Sequence, residues 1–70
     1  MLPLGFAEMN EEVIIRKVSG TPEVKKHLEN LGFVPGSGVM ILNRVGGNLI
    51  VKVKGSRIAI NEEMARRILI

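Results

Sequence analysis

The chain has 70 residues, a formal net charge of +3 and no cysteine. One domain is the most that this length allows, and ordering it costs on the order of 100 kcal/mol of conformational entropy, so the core must be compact and apolar. The missing cysteines exclude a disulfide framework and any thiolate metal site, and they fit a reducing cytosol.

In chain order, Met1 to Phe6 sets Leu2, Leu4 and Phe6 between Pro3 and Gly5. The segment predicts a turn or short helix that packs its apolar residues, Phe6 included, onto the body. It lacks the basic region and long apolar stretch of a secretory signal, so none is expected. Val13 to Val18 is rich in β-branched residues and predicts the first strand. Thr21 then offers a side-chain oxygen to free backbone N–H groups, and Pro22 suits a first helical position. The spacing predicts a helix over 22–31, closed by Gly32 in a left-handed conformation. On it Val24, Leu28 and Leu31 form one apolar stripe, with Lys25, Glu29, Glu23 and His27 on the wet side.

After Pro35-Gly36 come strands over Val39–Val45 and Leu49–Lys54, reversed by Gly46-Gly47-Asn48. Leu49, Val51 and Val53 share one face of the second, and Lys52 and Lys54 the other. Gly55-Ser56 turns the chain into Arg57–Ile60, with Ile58 and Ile60 inward. Asn61 caps a short helical turn, Glu62–Arg66, and Arg67–Ile70 closes the order as a fifth strand. The longest apolar run, Val39 to Leu42, has four residues, against about 20 for a membrane span. Five short strands with tight turns predict a sheet that curls into a small β-barrel and hides its edges, with one helix inserted after strand 1. Residues 1–70 form a single domain with no internal repeat.

Chemistry-bearing motifs are few. There is no phosphate-binding G-x-x-x-x-G-K-[ST] and no aspartate, and the glycines at 46 and 47 join strand to strand. His27 is the only histidine, with no glutamate usefully placed to complete a triad, so no enzyme activity and no cofactor are expected. Glu23 and His27, one helical turn apart, are the sole candidate metal ligands; two side chains do not make a closed site. Lys52, Lys54 and Arg57, joined by Arg44, form a basic patch on the hairpin. A nucleic-acid partner is one reading of that patch, but a strand binder also needs exposed aromatics, and Phe6 and Phe33 both read as core. A protein-interaction module is the better reading.

The chain also resembles the ferrous iron transport protein A (FeoA) family along nearly its whole length. The resemblance rests on Leu2-Pro3-Leu4, on Val13 to Val18 followed by Gly20, and on Leu28-Glu29-Asn30-Leu31-Gly32-Phe33-Val34-Pro35-Gly36. Val53-Lys54-Gly55-Ser56-Arg57-Ile58-Ala59-Ile60 and Ala65 before Ile68-Leu69-Ile70 complete it. The pairing of L-G-[LF]-x-P-G with V-x-G-x-x-[IL]-A-[IL] is its specific part. The resemblance implies an SH3-like barrel. It also implies a cytoplasmic accessory protein of bacterial or archaeal ferrous iron uptake, docking on the cytosolic GTP-binding domain of a membrane iron permease. Transition-metal binding is implied for the family as a whole. The same fold occurs as a C-terminal domain of metal-dependent repressors; here a free-standing accessory protein is expected. One departure is Gly46-Gly47-Asn48, where many members carry a Gly-Asp-Pro-like turn. The expected partner surface combines the helix-to-strand turn, Phe33, Val34 and Pro35, with the basic hairpin residues Lys52, Lys54 and Arg57. In the turn an apolar side chain is either left exposed for a partner or packed beneath the helix.

Overall fold

The computed structural model describes residues 1–70. A 3-10 turn (Leu4–Phe6) leads to β1 (Val13–Ile14), β2 (Lys17–Val18), α1 (Pro22–Asn30), β3 (Gly38–Val45), β4 (Asn48–Val53), β5 (Ser56–Asn61), α2 (Glu62–Arg66) and β6 (Ile68–Leu69). The mainly β architecture, the inserted helix and the short helical turn stand as expected. The strands form an antiparallel four-stranded sheet, ordered β1-β3-β4-β5, and a two-stranded sheet of β2 and β6. The two ladders pack around one core without joining into a closed ring. The barrel is therefore open, and β5 keeps a free edge.

Five expected strands become six because Val13–Val18 divides. The chain crosses from one sheet to the other at Ile15 and Arg16. The Ile15 N–H donates to the Ser37 carbonyl at 2.9 Å, whereas the Arg16 N–H donates to the Leu69 carbonyl at 2.8 Å. The side chains show why. Val13, Ile15 and Val18 pack inward while Ile14, Arg16 and Lys17 are exposed. A step of three between Ile15 and Val18 breaks the two-residue period of a continuous strand.

α1 starts as predicted, with the Thr21 hydroxyl accepting from the Val24 N–H at 3.3 Å and Pro22 in the first turn. It ends in a paired closure. The Gly32 N–H donates to the Glu29 carbonyl at 2.9 Å and the Phe33 N–H to the Leu28 carbonyl at 3.0 Å, with Gly32 at φ +106°. This is the arrangement in which the residue after the left-handed glycine packs back on the last turn. Leu28 and Phe33 are both fully buried. Val24 and Leu31 pack half-buried against the same core, so the stripe lies as expected.

Leu49, Val51 and Val53 of β4 all point inward, opposite Val39 and Ile41 of β3. A bulge then interrupts β3: Ile41 faces Val51, but the next paired residue is Asn43, facing Ile50. The extra residue, Leu42, shifts the alternation by one. Arg44, opposite the buried Leu49, thereby shares the inner face, and Val45 is left exposed.

The N-terminal segment corrects the expectation for Phe6. In a 3-10 turn the side-chain period is three, so Leu4 and Ala7 are buried together while Phe6 turns outward, 71% exposed. Leu2 is also exposed, although the Leu2 N–H and C=O both bond to Ile70, at 2.9 and 2.7 Å. α2 is capped by the Asn61 carboxamide, which accepts from the Met64 N–H at 2.8 Å.

Candidate docking surface

The β4–β5 hairpin carries the basic residues. The reversal is Lys54-Gly55, one position earlier than the sequence suggested, with both residues at positive φ (+51° and +76°). Two consecutive left-handed residues match the hairpin turn whose twist suits the flanking strands. Lys54 is thus a turn residue and not the last residue of β4. Its side-chain stem lies over Gly32, where an added Cβ would meet Lys54 Cγ at 3.0 Å. The helix-to-strand turn and the basic hairpin are neighbours through this contact.

The register places Lys52 directly across from Arg57. The closing pair of a two-residue hairpin, here Val53 and Ser56, exchanges ladder hydrogen bonds, so Lys52 and Arg57 form the next, non-bonded pair, where facing side chains stand closest. Two like charges there destabilise the sheet by a few tenths of a kcal/mol. No acidic side chain compensates. The molecule's ion pairs, Arg66 with Glu62 and Glu63 and Arg67 with Glu63, all involve α2 and the residue that ends it. Lys52, Lys54 and Arg57 are exposed cations without a partner in the chain.

The other expected surface residues divide. Pro35 is exposed and Val34 half-buried, but Phe33 is fully buried beneath the end of α1. Its ring is core, fixed by the bond from its N–H to the Leu28 carbonyl, and presents nothing to a partner. Arg44 also leaves the basic patch. The bulge puts it on the face of Leu49, where it stays exposed at the sheet's end, and its guanidinium Nη2 donates to the carbonyls of Gly5 and Ala7, both at 2.9 Å. It ties the N-terminal turn to the sheet instead.

Glu23 and His27 flank a shallow groove of about 300 Å³ between α1 and α2, with Glu63 and Arg67 on its other wall. Glu63 could have supplied a third ligand. Its Oε1 instead accepts from Arg67 at 3.0 Å, and its Oε2 lies 3.5 Å from Arg66. No group of three His, Asp or Glu side chains is placed to hold an ion. Sequence reasoning missed a second groove, about 470 Å³, where exposed Phe6 stands with Arg44, Gly46, Gly47 and Arg66. Only the three-residue period of the first turn would have revealed it.

Residues 2–70 match the family model for the FeoA domain. The chain belongs to the FeoA family. A protein of Methanocaldococcus jannaschii assigned as an Fe(2+) transport protein A is 34% identical over 70 residues, covering all of this chain and 85% of the relative. Among solved structures, the crystal structure of an iron uptake regulatory protein (FeoA) aligns with a TM-score of 0.86 at 25% identity, over 96% of this chain and 91% of the other. The zinc complex of Stenotrophomonas maltophilia FeoA, described as a prokaryotic SH3 domain protein, aligns with a TM-score of 0.85 at 23% identity, over 99% and 88%. These likenesses establish the SH3-like fold. No helix is long and apolar enough to cross a membrane.

Proposed function

We propose that this chain is an accessory protein of ferrous iron uptake that works by docking, in the cytoplasm, on the GTP-binding domain of the membrane iron permease. Family membership supports the iron-uptake setting, as does the M. jannaschii relative assigned as an Fe(2+) transport protein A. The S. maltophilia relative is itself proposed as an activating factor of bacterial ferrous iron transport. The observation that carries the docking reading is the cluster of Lys52, Lys54 and Arg57. These are unpaired cations, two of them set face to face at a cost to the fold, which an acidic partner surface would neutralise. No catalytic step enters this reading; His27 is exposed on α1 with no hydrogen bond to an acid.

Titration of the GTP-binding domain with the full chain tests it. Saturable binding is expected. Exchanging Lys52→Glu together with Lys54→Glu should slow association about tenfold at low salt. The melting temperature should hold or rise slightly, because Lys52→Glu turns a like-charge pair with Arg57 into an attractive one. Binding to single-stranded RNA at physiological salt, with none to the domain, would overturn the reading in favour of nucleic acid. The aromatics argue against that partner: Phe33 is buried, and Phe6 lies beside Asn48 at the opposite end of β4 from Lys52.

A further inference from the structure

β5 is the longest strand with a free edge. It ends the four-stranded sheet, runs six residues from Ser56 to Asn61, and pairs with β4 alone in an unbroken register. The sheet's other edge, β1, has only two residues. Alternation along the ladder turns the N–H and C=O groups of Arg57 and Ala59 away from β4. No backbone bond outside the ladders and no side-chain bond reaches residues 56–60. Arg57 and Ala59 are both exposed. Free edges are ordinarily blunted by a proline, a bulge, a covering loop or a charge. Here the only such device is Arg57.

We infer that β5 is an acceptor edge, and that an extended acidic segment of the docking partner adds to it as the fifth strand of the sheet. This rests on the docking reading above and names its mode. An added strand would receive two main-chain donors and two acceptors from Arg57 and Ala59. Its side chains on the outer face would stand beside Arg57, with Lys52 one strand further in; those on the inner face would stand beside Ile58 and Ile60, which are half-buried and buried. The matching segment therefore alternates acidic and aliphatic residues. A second copy of this chain is the poorer occupant, because edge-to-edge pairing would bring two basic edges together. Nucleic acid has no use for alternating strand donors and acceptors.

Amide hydrogen exchange on the full chain, alone and saturated with the GTP-binding domain, tests the inference. The expected result is an alternating pattern. Exchange at Arg57 and Ala59 slows about tenfold or more on binding, while Ile58 and Ile60, already held by β4, do not change. Ala59→Pro removes the central outward donor and spares the β4 ladder; it should weaken binding about tenfold or more. If that variant does not fold, the exchange pattern of the unaltered chain decides alone. Binding that leaves Arg57 and Ala59 exchanging freely overturns strand addition and leaves docking standing. Absence of binding overturns both. Protection already present in the chain alone, in a species of dimer mass, assigns the edge to a second copy and overturns the inference. So does protection produced by single-stranded RNA and not by the domain.

Discussion

Lys54 occupies a left-handed position, φ +51°, in a two-residue turn followed by Gly55. Such a conformation costs an ordinary L-residue about 1 kcal/mol and is much easier for asparagine. Lys54→Asn should therefore raise the stability of the chain by about 0.5–1 kcal/mol in urea unfolding. It should also slow partner association, since it deletes one of the three cations of the β4–β5 hairpin. A faster-associating or less stable variant would show that Lys54 is held by contacts beyond its stem over Gly32. Leu28 is the opposite kind of residue, fully buried where α1 meets Phe33. Leu28→Ala leaves a cavity and should cost about 2–5 kcal/mol. In a domain this small that is much of the total stability, and the urea midpoint should fall accordingly.

Among the elements, α1 was the most legible, because its start and stop are written in local chemistry. Thr21, Pro22 and Gly32 act within one turn of themselves, and the structure uses each as expected. The hairpin faces of β4 were legible for the same reason, since alternation is a local property. What did not show in the sequence depends on partners far along the chain. The crossing at Ile15–Arg16 exists because its bonding partners diverge: Ser37 leads into β3 of the large sheet, whereas Leu69 lies in β6 of the small one. Val13, Ile14, Ile15 and Val18 are all aliphatic, so the pattern itself could not say where the phase slips. The bulge at Leu42 is equally silent, and with it the change of face at Arg44. Phe6 was misplaced because the turn was expected to pack all its apolar residues onto the body, whereas a turn of period three buries Leu4 and leaves Phe6 outside. Arg44 now has a specific test. Arg44→Met keeps the stem and removes the bonds to Gly5 and Ala7, so it should cost about 1 kcal/mol. It should also speed amide exchange at Phe6 and Ala7, leaving β4 protected.

For the whole molecule, composition fixed the size of the core and the sign of the charge but not its distribution. Every acid that forms an ion pair sits on α2, while the β4–β5 hairpin carries cations alone. The charge excess of +3 is thus concentrated where a partner can use it. The association rate with the GTP-binding domain should fall steeply as ionic strength rises from about 0.01 to 0.15 M, over which screening shortens from about 30 to 8 Å. The dissociation rate should change much less. A flat salt response would move the docking surface away from Lys52, Lys54 and Arg57. The exposure of the residues proposed for docking was only half legible for a related reason. Lysines on a strand declare themselves, but whether Phe33 faces out or in is decided by the packing at the end of α1.

The small sheet has one more implication, for the order of folding. Its members are drawn from the two extremes of the chain: Lys17 and Val18 lie against Leu69 and Ile68, and Leu2 exchanges both its main-chain bonds with Ile70. Closing loops of about fifty residues or more costs more chain entropy than the two-residue reversals that join β3, β4 and β5. In refolding from denaturant the β3–β4–β5 meander is then expected to gain amide protection early, and Leu2, Lys17 and Val18 to lock onto residues 68–70 late.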